Sequence, residues 1–240
     1  MKNLFYIIAL AIIIPSCSSG QFDLGKIGKE IDKTINQKPL SNQEIIDGLK
    51  QALTIGSQNA SSFTSKTDGY FKNSIIKIPF PPQVAKVEKD LRSLGMDKQI
   101  NEFVLTMNRA AEEAAKQAAP IFADAVKSMT ITDGMNILKG SDTSATNYLR
   151  QKTSLSLFNK FKPVILSATQ KVGVTKYWNP LMTTYNKIPF VEKINPDLEE
   201  YITQRALSGL FYMVSQEEIK IRKDPLARVT DLLKKVFGSK

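Results

Sequence analysis

From residue 41 onward the apolar positions recur at steps of three and four, which is the period of a helix that buries one face. Ser41-Asn42-Gln43-Glu44 is a capping box, and Ile45, Ile46, Leu49, Ala52 and Leu53 give the helix behind it an apolar face that is expected to end at Gly56. The most regular spacing lies between Asn101 and Met129, where Phe103, Met107, Ala110, Ala111, Ala114 and Ala118 fall on one stripe. Alanine fills little volume, so this stripe predicts a central helix that its neighbours approach closely. Thr130-Ile131-Thr132-Asp133 is a second capping box, opening a short helix with Met135 and Leu138 inward and Gly140 at its end. Ser141 or Asp142 then caps a longer helix carrying Ala145, Tyr148, Leu149, Leu155, Phe158 and Phe161, broken at Pro163 and resumed from Val164 to Val172. Val174 to Val191, with Trp178, reads as proline-punctuated helical turns. Pro196 to Lys223 is the other long helix, with Ile202, Ala206, Leu210, Met213 and Val214 inward and Gly209 permitting close contact. A last helix is expected from Leu226 to Phe237, with Val229, Leu232, Leu233 and Val236 as its apolar side.

The pattern changes only between Gln58 and Gln83. Polar residues lead to a turn at Thr67-Asp68-Gly69-Tyr70, then to Ile75, Ile76, Ile78 and Phe80, closed off by Pro79, Pro81 and Pro82. A helix from Val84 to Leu94 follows, stopped at Gly95. The expected fold class is therefore all-α, a single multi-helix bundle with a short extended or hairpin arm near 67–82.

The N-terminus belongs to a different regime. Lys2 followed by the apolar run Leu4 to Ile14 has the form of a secretory signal and is too short to span a bilayer. Ile14-Pro15-Ser16-Cys17 is similar to a bacterial lipobox, apart from Pro15 where a small residue is usual, and Cys17 is the chain's single cysteine. The expected organisation is a signal peptide over 1–16, a lipidated Cys17 with a tether over 17–40, and a helical domain over 41–240. An ordinary signal peptide with an incidental cysteine is the alternative. Phe22, Ile27, Ile31 and Ile35 also allow a short amphipathic helix within the tether. Fully extended, the tether reaches about 75 Å. Acyl chains on Cys17 supply the anchor, and Ser18 rather than aspartate after it points to the outer membrane, facing the periplasm. With Cys17 so used no disulfide forms, and the fold rests on packing.

Charge and composition then narrow the chemistry. Lys and Arg number 33 against 23 for Asp and Glu, a formal charge of +10, which favours anionic phospholipid head groups, glycan polymers or nucleic acid. Export from the cytoplasm argues against nucleic acid. The chain has no histidine, which excludes Ser-His-Asp, Cys-His and His-zinc sites. Ser74-Ile75-Ile76-Lys77 matches the S-x-x-K spacing of penicillin-binding enzymes by chance, since the partner motifs are missing. Residues Ile219 to Lys240 form a basic amphipathic end, read either as a membrane-surface element or as a helix packed on the bundle.

One constellation is a candidate site: Asn108, Arg109, Glu112 and Glu113 with Asp142, Tyr148, Glu217, Glu218, Arg222 and Arg228. Asn108 and Glu112 form one i,i+4 pair and Arg109 and Glu113 another, with both of these glutamates expected to project away from the alanine stripe, and Glu218 and Arg222 form an i,i+4 pair on the other long helix. Polar side chains on core-forming helices can converge as a structural ionic network. They can also hold an anionic or hydroxyl-rich ligand, or a carboxylate-bound Mg²⁺ or Ca²⁺, although no calcium-loop spacing is present and no metal or cofactor is expected. Two carboxylates about 5 to 10 Å apart across a cleft would suit glycoside hydrolysis. Apolar stripes leaving a cavity for an acyl chain are a further reading.

The ordered segments Asp68-Gly69, Ile76-Lys77-Ile78-Pro79, Met107-Asn108-Arg109-Ala110-Ala111-Glu112, Met129-Thr130-Ile131, Ile137-Leu138-Lys139-Gly140, Ala145-Thr146-Asn147-Tyr148, Gly209-Leu210-Phe211, and Glu217-Glu218 with Ile221-Arg222 and Pro225 carry a resemblance. Over about Leu40 to Gly238 the chain resembles a bacterial family known as domain of unknown function 4197. The resemblance implies a largely helical, secreted or lipid-anchored protein and brings no activity or ligand with it. Gly134 stands where alanine is expected in such relatives, at a helix-propensity cost of about 1 kcal/mol. The function expected is an envelope lipoprotein that binds or scaffolds, for an anionic or lipidic ligand, with a carboxylate-dependent hydrolase acting on glycan as the alternative.

Overall fold

The computed structural model describes residues 40–171, 178, 183, 186–187, 189–190, 193 and 197–238. The signal peptide, Cys17, the tether and most of the turns expected over 174–191 lie outside the described residues. Among the described residues every regular element is helical. In chain order these are α1 (Asn42–Ser65), a 3₁₀ turn (Pro82–Val84), α2 (Ala85–Ser93), α3 (Asp97–Ala115), α4 (Ala118–Lys127), α5 (Ile131–Lys139), α6 (Ser144–Lys171), α7 (Leu198–Lys223), a second 3₁₀ turn (Pro225–Ala227) and α8 (Asp231–Gly238). The fold is all-α.

Both capping boxes form. Ser41 Oγ accepts from the Glu44 amide while Glu44 accepts from the Ser41 amide, and Thr130 and Asp133 do the same at α5. Each satisfies two amides that a helix start otherwise leaves open.

The long helices α6 and α7 lie side by side, α3 packs on both, and α1 packs against α7, α4 and α5 with α8 laid over it. On α3 and the start of α4, Met107, Ala110, Ala111, Ala114, Ala115 and Ala118 are fully buried, so the alanine stripe is the centre of the packing. Glycine extends the same principle to other contacts. A Cβ on Gly209 would sit 2.8 Å from Tyr70 Cε1 and 3.0 Å from Ile76 Cβ, so α7 takes the arm directly against its backbone. Gly134, at a position where alanine would favour the helix, lies directly beneath the Ile46 side chain of α1. The close approach accounts for the residue that propensity disfavours.

Several expectations are corrected. α1 runs through Gly56 to Ser65, because Ser57, Ser61 and Thr64 are buried and turn their hydroxyls onto carbonyls of their own helix, Ser61 onto Ser57 and Thr64 onto Ala60. The arm over 66–81 is a chain of turns, without strand pairing. α6 does not break at Pro163. Pro163 and Asn159, whose carbonyl the proline leaves without a donor, are both exposed, so solvent is at hand for the missing bond. Leu155 of α6 is exposed rather than inward. In α5 the buried positions are Gly134 and Ile137, with Met135 and Leu138 half-buried. The last helix begins only at Asp231, leaving Leu226 and Val229 exposed on the connection while Leu233, Val236 and Phe237 are buried. That C-terminal helix is packed on the bundle, with Val236 against Gly48 of α1.

The turn at Asp68-Gly69 closes directly against the backbone of α1. Asp68 holds φ at +68°, and a Cβ on Gly69 would collide with the carbonyl oxygens of Phe63 and Thr64 at the end of α1. Gly95 also has positive φ, +80°, but nothing lies within 4 Å of its missing Cβ. Gly69→Ala is therefore expected to cost about 3 kcal/mol, since backbone must move. Gly95→Ala should cost about 1 kcal/mol, the left-handed penalty alone. Urea unfolding of the two variants checks the order, which equal losses would contradict.

Candidate functional site

The arm reaches α3 through three polar side chains in one turn of helix. Asn108 is fully buried. Its Oδ1 accepts from the Ile78 amide at 2.8 Å while its Nδ2 donates to the Ile78 carbonyl at 2.8 Å and to the Val104 carbonyl at 2.7 Å. A side-chain amide thus serves Ile78 as a neighbouring strand would, meeting both backbone groups of a residue that has no access to water.

Glu112 does the same for the turn above. Its Oε1 accepts from the amides of Tyr70 at 3.1 Å and Phe71 at 3.2 Å, and its Oε2 accepts from Arg109 Nη1 at 2.6 Å. Arg109 Nη2 continues to Asp68 Oδ1 at 2.6 Å, and Lys72 closes on the other Asp68 oxygen at 2.7 Å. Hydrogen bonds from Lys72 and Arg109 hold the Asp68 carboxyl below the usual carboxylate range. The Glu112 carboxylate, followed by Asp68, raises the Arg109 guanidinium above its ordinary value. Beside them Tyr70 is buried with its hydroxyl donating to the Ala206 carbonyl at 2.7 Å. Burial, reinforced by the Glu112 charge, pushes this phenol well above its ordinary value.

The expected pairing within α3 is corrected here. Arg109 pairs with Glu112, three residues on, and Glu113 turns to solvent and pairs with Lys116 at 2.6 Å. Glu113 does project away from the alanine stripe. Glu112 is buried, because the arm covers that flank of the helix.

The remaining candidates gather elsewhere, around the start of α6. Glu218 Oε1 accepts from the Ala145 amide at 2.9 Å, and Oε2 accepts from the Thr146 amide and hydroxyl, each at 2.8 Å. A glutamate from α7 thus caps α6, placed where the helix dipole favours a negative charge. Arg222, the i,i+4 partner expected of Glu218, bonds it through Nε at 3.0 Å and reaches the Ile137 carbonyl near the end of α5 through Nη2 at 2.9 Å. Tyr148 donates to the Ala125 carbonyl of α4 at 3.1 Å, and Asp142 pairs with Lys223 at 2.6 Å on the surface. Arg228 donates to the carbonyls of Ile221 and Arg222 at the end of α7, and Glu217 accepts from Asn59 at 2.8 Å.

The candidates therefore divide into two groups, each built round a carboxylate that holds two backbone amides and an arginine. Sequence reasoning missed Asp68 and Tyr70, the arm partners of the first group, and Thr146, the partner of the second. No signal in the sequence marked the first, because helical angle places Glu112 outward and only the folded arm buries it. Next to Glu218 and Arg222 lies a cavity of about 30 Å³ lined largely by apolar side chains, among them Leu49, Leu53, Ile137, Val214 and Phe237. It has room for about two water molecules. Among the described residues no group of three or more carboxylate or thiol side chains is placed to hold a metal ion.

Compared with known proteins, the chain belongs to the family described as "Protein of unknown function (DUF4197)", which matches residues 39–238. No curated protein and no solved structure matches it.

Two outcomes follow from the arm clamp. Asn108→Ala leaves both buried Ile78 backbone groups without a partner and is expected to cost about 3 kcal/mol, whereas Glu113→Gln on the surface should stay within about 0.5 kcal/mol. Chemical unfolding compares them directly. The second concerns alkaline pH. Tyr70 in the folded protein keeps its proton while the unfolded chain loses it above about pH 10. Its contribution is complete below that pH and declines as pH rises, by at most about 1.4 kcal/mol per pH unit. Tyr70→Phe should be less stable at neutral pH through loss of the bond to Ala206, and should fall less steeply above pH 10. Parallel alkaline stability curves for the two proteins would refute this.

Proposed function

We propose that the protein is a lipoprotein of the cell envelope, held by acyl chains on Cys17, its lone cysteine, and that its helical domain binds or scaffolds rather than catalyses. The reading places it at the outer membrane facing the periplasm, with an anionic or lipidic partner. One observation carries the non-catalytic part. Glu112 and Glu218, the carboxylates best placed for chemistry, each have both oxygens engaged by internal donors. A glycosidase acid must offer its proton to a leaving oxygen, and its partner must face water or the sugar ring. Oxygens already accepting from amides, a hydroxyl and an arginine are positioned for neither task.

The anchor rests on the sequence Ile14-Pro15-Ser16-Cys17 after an apolar run. No helix among the described residues is long and apolar enough to cross a membrane. A basic chain of charge +10 next to anionic lipid or glycan is consistent with a surface that recruits by charge.

Fractionation tests the anchor. Cys17→Ala is expected to move the protein from the membrane pellet to the soluble envelope fraction and to remove incorporation of labelled palmitate. Unchanged sedimentation together with unchanged labelling would overturn the assignment.

A further inference from the structure

We infer that the outer face of α6 is a docking surface for an anionic phospholipid bilayer. Over its whole length, Ser144 to Lys171, this helix carries five basic residues and no acidic one. Lys162 turns aside to pair with Asp197 of the α7 cap. Lys152, Lys160 and Lys171 are exposed and have no carboxylate bonded to them among the described residues, although Asp133 lies close enough for the charge of Lys152 to be felt there. Between the lysines stand Leu155 and Leu166, two of the large apolar side chains that the fold leaves exposed, at 75% and 38%. They lie eleven residues apart, three helical turns, on the same side of α6. Ser156, Asn159, Pro163, Ser167 and Gln170, which fill the rest of this face, are uncharged and exposed.

The occupant follows from charge and shape. Single exposed leucines are ordinary on protein surfaces, but here they are set among cations with no anion on the helix. The face is that of a single helix, and none of the side chains on that face lines the cavity beside Glu218 and Arg222. A bilayer needs no cavity. It accepts a row of protruding apolar side chains, while the lysine stems lie along it and their ammonium groups reach the phosphate layer. The inference rests on the membrane-attached reading for its setting but uses different residues. The lipid anchor delivers the domain to the bilayer, and α6 sets which side of the domain faces it.

The test uses chain 18–240, which keeps every described residue, including all of the packed core, and lacks both leader and Cys17. Folding is checked by circular dichroism. It is expected to sediment with vesicles of phosphatidylglycerol and phosphatidylethanolamine, to ignore phosphatidylcholine vesicles, and to be released by 0.5 M salt. Lys152→Glu with Lys160→Glu, and separately Leu155→Ser with Leu166→Ser, should each weaken binding about tenfold or more at unchanged melting temperature. Equal binding to both vesicle types, no binding to either, or indifference to both pairs of substitutions would overturn the inference. So would capture by a soluble acidic polymer with vesicles ignored, since the partner would then be an acidic macromolecule. Failure here leaves the Cys17 anchor standing, and failure of the Cys17 fractionation leaves this result standing, because the chain used carries no lipid.

Discussion

The structure depends on how a stretch with no regular hydrogen bonding of its own is carried into the interior. Residues 66–81 pass beneath neither a sheet nor a helix ladder, yet Tyr70 and Ile78 are fully buried. Backbone amides and carbonyls taken out of water need partners, and α3 supplies them from Asn108 and Glu112. The consequence reaches beyond the arm. With its polar groups matched, the arm lays Tyr70 and Ile76 against Gly209 and so joins α3 to α7 across the middle of the bundle. Without that match the same apolar side chains would drag unsatisfied peptide groups with them.

Small residues set the distances that make this possible. The alanine face of α3 lets α6 and α7 approach, and Gly48, Gly134 and Gly209 let α8, the Ile46 side chain and the arm rest directly on helix backbones. Such contacts leave little tolerance for added volume. They also explain why charged groups can be buried here at all. A carboxylate held against two amides and a guanidinium needs fixed neighbours, and close-packed helices hold them fixed.

Periodicity made the helices legible, because each long one has a buried stripe, and the two capping boxes marked their starts. It failed where side chains changed the meaning of a residue. Gly56 looked like a terminus, but the buried serine and threonine hydroxyls beyond it find their acceptors in carbonyls of the same helix, so a polar stretch continues α1. Pro163 looked like a break, but Asn159, whose carbonyl it frees, is exposed. Among the candidate residues, Glu218 with Arg222 was readable from i,i+4 spacing. The burial of Glu112 was not, since helical angle alone put it outward and only the arm, forty residues away in sequence, turns that flank into interior. Membership of one constellation was equally invisible, because it depends on where α7 ends relative to α3 and α6.

Burying acids has an effect on the outside of the molecule. Glu112 and Glu199 are taken into the core, and Glu218 is nearly enclosed with Arg222 as its one similarly enclosed basic partner. Arg109, the partner of Glu112, keeps 38% of its side chain in solvent. Acidic charge is therefore withdrawn from the surface faster than basic charge. Among the described residues, the outer shell thus carries a greater positive excess than their total charge alone implies. Because a field at the surface falls off within about a Debye length, what counts for an approaching anion is that local excess and not the sum. Along α6, where no acid was present to withdraw, the excess is undiluted, and the same internal bonds that occupy the oxygens of Glu112 and Glu218 leave the exterior more positive.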